Sequence, residues 1–184
     1  MRGLRNSNGM RHELQALFEI LFDIIRLRKG PDAIPYSPLL FVCMAIFWLA
    51  TGFVMTLAAD ELDLRGFVLG TMTGIAGLGC YAALLVIAGK APRLVQTLSA
   101  VLGCGALLGL MFVAGSALLT PLASAEVASL VTTLILLWSI PVEGHIIARA
   151  IDRHWYVGVV AAMAVFIFQL FLYSLIDPAA GQAN

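Results

Sequence analysis

The sequence predicts an all-α membrane protein, with five transmembrane helices preceded by an amphipathic cytoplasmic surface helix. Three observations carry this reading: five separate apolar stretches long enough to cross a bilayer, basic residues that alternate with the connections between them, and a helical amphipathic pattern ahead of the first. Hydrophobic residues make up 61% of the chain and charged residues 12%, with a mean hydropathy of +0.96. Charged residues average about 25% in soluble chains, so a soluble globular domain is excluded. The formal net charge of zero says nothing of nucleic acid, and no nucleic-acid partner is expected.

A helix rising about 1.5 Å per residue needs about 20 apolar residues to cross roughly 30 Å of hydrocarbon. The stretches at 38–59, 66–89, 94–119, 124–147 and 155–176 reach that length. Strands of a membrane barrel would alternate in polarity over about ten residues, which these runs do not. Helices are therefore predicted, since lipid offers the backbone no other hydrogen-bond partner.

Arg2, Arg5, Arg11, Arg26, Arg28 and Lys29 precede the first span, Lys90 and Arg93 lie in the second connection, and Arg149 and Arg153 lie in the fourth. Only Arg65 falls on the other side, in a connection that also carries Asp60, Glu61 and Asp63. The positive-inside rule then puts the N-terminus in the cytoplasm and the C-terminus outside. The expected organisation is a cytoplasmic segment (1–37), a five-helix bundle (38–177) and a short external tail (178–184). No cleavable signal peptide is expected, because the first 37 residues lack an apolar core followed by a small-residue cleavage pattern.

Residues 12–28 place Leu14, Leu17, Phe18, Leu21, Ile24 and Ile25 on one face and His12, Glu19, Asp23 and Arg26 on the other. Too short and too charged to span, this helix is expected to lie along the cytoplasmic surface, its apolar face against lipid or the bundle. Arg26, Arg28 and Lys29 at its end suit the helix dipole and anionic head groups. Gly30, Pro31 and Pro35 then break the helix, and Ser37 followed by Pro38 reads as an N-cap with proline at the first helical position.

Within the spans, Gly70, Gly74 and Gly77 share one face of the second helix, and Gly105 with Gly109 repeats the spacing in the third. Small residues at such intervals admit close helix approach. Thr71, Thr73, Thr97 and Ser99 can return hydrogen bonds to their own backbone. Cys43, Cys80 and Cys104 fall in three different spans without a metal-type spacing and read as packing residues.

The fourth span supplies the candidate polar site. Trp138, Pro141, Glu143 and His145 lie within a short run near its cytoplasmic end. Pro141 should kink the helix, and Glu143 is a carboxylate whose burial costs several kcal/mol unless it is paired. Pairing with Arg149 or Arg93, or snorkelling to the interface, is the expected resolution. His145 and Arg149, four apart, share a face and form a polar patch with Arg153, while Gln169 is the clearest uncharged polar residue deep in the fifth span. There is no catalytic, metal-ligating or cofactor signature, so a non-catalytic role is expected.

The stretches LFDIIRLRKGPDAIPYSP and WSIPVEGHIIARAIDRHWYVGVVAAMAVFIFQLFL resemble small bacterial inner-membrane proteins of unassigned function, and their organisation is similar to the Yip domain family of membrane-trafficking and membrane-organising proteins. The resemblance implies a helical bundle without established enzyme activity that works through partners. The leading expectation is an accessory or scaffold protein that binds other membrane proteins, or itself, through its glycine-rich faces and surface helix. The rival expectation is a small transporter or channel subunit with its polar path near Trp138, Glu143, His145 and Gln169.

Overall fold

A computed structural model describes residues 4–58, 64–119, 122 and 124–177, so Asp60, Glu61, Asp63 and the tail 178–184 lie outside the described residues. The elements are α1 (Leu4–Ile25), α2 (Pro38–Ala58), α3 (Leu64–Ile87), α4 (Leu94–Leu119), α5 (Ala125–Ala150) and α6 (Trp155–Ile176), with short 3-10 turns at Pro31–Ala33 and Ala91–Arg93. Helices α2 to α6 are long and apolar enough to cross a membrane, and no strand occurs among the described residues. The chain is an integral membrane protein.

Helix α4 is the hub. Half of its apolar window is buried, against 28% or less for the other four spanning helices. Its run from Thr97 to Leu108 is rich in Ser, Ala, Gly and Cys, and nearly all of it is buried, because small side chains let neighbouring helices approach from several sides. Helices α2 and α5 pack on it directly, and α6 pairs with α5 and α3. Thr73, Thr97 and Ser99 return their hydroxyls to the carbonyls of Leu69, Arg93 and Val95 at 3.0, 2.8 and 2.7 Å, which satisfies them without a ligand.

The N-terminal helix begins eight residues before the expected 12–28 pattern and ends three residues before its close. Of the two contacts open to its apolar face, the bundle is the one made near the C-terminal end: Leu21, Ile24 and Ile25 are buried. A Cβ at Gly103 would lie 2.9 Å from a Leu21 methyl and 2.8 Å from Met44 Sδ, so this glycine of α4, not singled out by spacing, is where α1 and α2 seat. Cys104 adds an Sγ–H donated to the Leu21 carbonyl at 3.8 Å. Phe18 and Phe22 stay exposed.

The helix ends obey local rules. Ser37 Oγ accepts from the Leu40 amide at 3.2 Å, the N-cap that its sequence predicts, and Ser124 accepts from Val127 at the start of α5. Helices α1, α3 and α5 each close with paired reverse bonds around a left-handed residue: Leu27 (φ 61°), Gly89 (φ 69°) and Asp152 (φ 53°). Only Gly89 takes that conformation freely. Leu27 and Asp152 hold it at a cost of about 1–2 kcal/mol each, offset by contacts that surround them.

Helices α5 and α6 make the tightest approach. A Cβ at Gly144 would lie 2.7 Å from Val159 Cα, and one at Gly158 would overlap the Gly144 carbonyl. By contrast, nothing lies within 4 Å of a Cβ at Gly70. Gly158→Ala should therefore destabilise the bundle by about 1–3 kcal/mol, because backbone cannot step aside. Gly70→Ala should be neutral or stabilising by up to about 1 kcal/mol. Thermal unfolding of both variants in one detergent checks this, and equal effects would refute the assigned crossing.

Candidate functional site

Glu143 of α5 turns inward. Its Oε2 accepts a hydrogen bond of 2.5 Å from the hydroxyl of Tyr81 on α3, a side chain only 2% exposed. The expected pairing of Glu143 with Arg149 or Arg93 is thus corrected. Arg93 instead donates to the Ala150 carbonyl at 3.1 Å and to Asp152 at 2.8 Å, about two helical turns or more farther along. The reason is geometric: the 100° step per residue in a helix points Glu143 toward α3, and Tyr81 there needs an acceptor for its own buried hydroxyl.

Beside this pair is a cavity of about 60 Å³ lined by Trp48, Gly74, Gly77, Tyr81, Glu143 and Gln169, among others. A volume of that size holds more than one water, given about 10–15 Å³ as the minimum for one. Gln169 enters from α6 and donates to the Thr73 carbonyl at 3.2 Å; it fits because Gly77 has no side chain, since a Cβ there would overlap its amide. Trp48 enters from α2 and lies 2.6 Å from where a Cβ at Gly74 would be, and its Cδ1 is 3.7 Å from that of Gly105. The glycine stripe is real, but its members at 74, 77 and 105 accommodate side chains rather than neighbouring backbone. Gly109 does the same for the Thr51 methyl, at 2.8 Å.

Trp48 and Gly105 also border a wider groove of about 450 Å³ between α2 and α3, which extends past Gly52, Gly70 and Phe67 toward the α2–α3 end of the bundle. Thr51 lines it, and its buried Oγ1 has no hydrogen-bond partner among the described residues. In the opposite direction, Leu85, Val142, Ile146 and Ile147 are all fully buried. One turn beyond Tyr81 and Glu143, the bundle is a closed apolar plug.

The remaining candidates are placed elsewhere. The Trp138 indole N–H donates to the Ile25 carbonyl at 3.1 Å, and His145 Nε2 donates to the Lys29 carbonyl at 3.0 Å. Trp138 caps the last carbonyl of α1, a group that a helix terminus leaves unpaired, and His145 pairs a carbonyl of the turn just beyond it. They hold α1 against α5 and do not reach the cavity lining. Arg149 is exposed at the end of α5, and α5 runs unbroken through Pro141. Glu143 and Gln169 are the two predicted site residues that the fold brings to one cavity; Tyr81 and Trp48 complete it and were missed. A phenol in the otherwise apolar run of 78–88 was the one available signal.

Trp138→Phe and His145→Ala each remove one of these caps. Each should cost about 1 kcal/mol and speed amide hydrogen exchange and proteolysis across residues 21–30, with exchange around Tyr81 unchanged.

No family model matches this chain, and neither does any curated protein or solved structure.

Proposed function

We propose that this protein is a small transporter or channel subunit in which Glu143, about two helical turns from the end of α5, handles a proton or a small cation inside the bundle. The observation that carries the reading is the Tyr81–Glu143 pair facing a polar cavity. That cavity meets the α2–α3 groove at Trp48 and is sealed on its other side by Leu85, Ile146 and Ile147. Transport sites closed on one side at a time have this arrangement. An intramembrane carboxyl that binds a cation in exchange for protons fits its chemistry.

The accessory or scaffold reading stands second, and the open space at Gly70 supports it: a partner helix would occupy the same α2–α3 groove. The resemblance to the Yip domain family, carried by 21–38 and 138–172, belongs with that reading. In either case we infer an N-terminus in the cytoplasm from the basic residues at the α1, α3–α4 and α5–α6 connections, and a bacterial inner membrane from the resemblance to small bacterial inner-membrane proteins. Helix α1 then lies along the cytoplasmic surface as an amphipathic element, with Glu19 and Arg26 toward water and Leu21, Ile24 and Ile25 on the bundle.

Proteoliposomes containing a trapped pH-sensitive dye test the leading reading. Under a potassium diffusion potential, the wild-type chain should pass protons above the protein-free background, and Glu143→Gln should return the flux to it. In a background lacking the three cysteines, Glu143→Cys should react with a small charged thiol reagent, faster when combined with Trp48→Ala. Equal flux in wild type and Glu143→Gln, with no reaction at position 143, would exclude the transport reading and leave the accessory one. Topology is checked separately: Ala183→Cys in the same background should be labelled from outside intact cells, and protection there would reverse the orientation.

A further inference from the structure

A second hollow lies at the basic end of the bundle, lined by residues different from those around Glu143. It has a volume of about 370 Å³ and is lined by Asp32, Arg93, Ala148, Arg149, Asp152 and Arg153, within the roughly 300–1,000 Å³ typical of small-ligand sites. Three segments far apart in sequence build it: the turn Pro31–Ala33, the turn Ala91–Arg93, and the end of α5 with the connection that follows it.

Its cations divide into two kinds. Lys90 Nζ and Arg93 Nη1 both hold the Asp152 carboxylate, at 2.6 and 2.8 Å. Those two cations pull the Asp152 carboxyl down to about 2, so the clamp stays ionised and closed at any pH near neutral. Arg149 and Arg153, one turn apart, have no side-chain hydrogen bond or ion pair among the described residues. The stem of Arg149 is nonetheless held, since its Cβ lies 3.2 Å from the Cβ position of Gly30. Three lining arginines, with Lys90 behind Asp152, outnumber the carboxylates of Asp32 and Asp152 and leave the hollow cationic, its two uncommitted cations being guanidinium groups.

The depth of the hollow narrows the ligand. It is where α5 ends and α6 begins, and the first residues of α6, Trp155 and Tyr156, are 47% and 59% exposed. Exposed amphipathic rings at the end of a spanning helix mark the head-group layer. A guanidinium fork matches two oxygens of one phosphate, and basic pockets between helices at this level suit anionic lipid heads. We propose that this hollow binds the phosphate head group of an anionic phospholipid, with Arg149 and Arg153 as its ligands and the Lys90–Asp152–Arg93 clamp as their support.

Native mass spectrometry of the full chain in mild detergent, titrated with phosphatidylglycerol or phosphatidylcholine, provides the test. One phosphatidylglycerol should be retained and phosphatidylcholine released. The double variant Arg149→Gln, Arg153→Gln should weaken retention about tenfold or more. Arg26→Gln with Arg28→Gln removes the same charge at the same end of the bundle but outside the hollow; these two meet head groups only as an open surface, so the single lipid retained by the hollow should stay. Because all four arginines are exposed, melting temperatures without added lipid should match wild type; if the hollow variant fails to fold, a rise in the wild-type melting temperature with phosphatidylglycerol alone serves in its place. Equal loss in both double variants, or equal retention of the two lipids, would overturn the proposal. Displacement of the lipid by millimolar inorganic phosphate would overturn the lipid assignment in favour of a soluble phosphate.

Discussion

Close packing has to hold this bundle together, because lipid tails are as apolar as the helices and leave little hydrophobic drive for one helix to prefer another. Everything else in the structure depends on that constraint. Helix α4 meets it with a core of Ser, Ala, Gly and Cys, so that Leu21 and Met44 seat at Gly103 and Thr51 at Gly109. Helices α5 and α6 meet it by backbone contact at Gly144 and Gly158. The N-terminal helix is part of the same arrangement: its last turn is buried in the core and pinned by carbonyl contacts from Trp138 and His145.

A polar group inside such a bundle must be answered by another, and the answers here are few and specific. Glu143 takes Tyr81, and Gln169 takes the Thr73 carbonyl. The space between these groups survives because Trp48 and Gln169 occupy the places that side chains at Gly74 and Gly77 would fill. Cavity and packing therefore have one cause. The bulky indole that closes the cavity toward the groove is also what packs α2 against the glycine faces of α3 and α4.

The basic end follows a different physics, with water and head groups within reach. Asp152 occupies a left-handed cap position and directs its carboxylate to Lys90 and Arg93. That ties the α3–α4 connection to the α5–α6 connection, and Arg93 strengthens the tie through the Ala150 carbonyl. Exposed ion pairs of this kind contribute little to stability individually. Their consequence is positional: the clamp settles which arginines are occupied and which are left to face outward.

The sequence by itself determined the five spanning helices and their approximate ends, because span length and apolarity are set by the bilayer and not by neighbours. It also determined the cap at Ser37, which depends on a residue three positions away. The candidate site was legible only in half. Glu143 and Gln169 were visible as polar residues in apolar runs, but the partners that make them a site, Tyr81 and Trp48, come from other helices. Trp138 and His145 were equally visible and proved to hold α1 in place. Periodicity reports which residues share a face of one helix; it carries nothing about which face of which helix is opposite. That choice rests on how glycines and bulky side chains interlock across the bundle, and only the tertiary structure decided it.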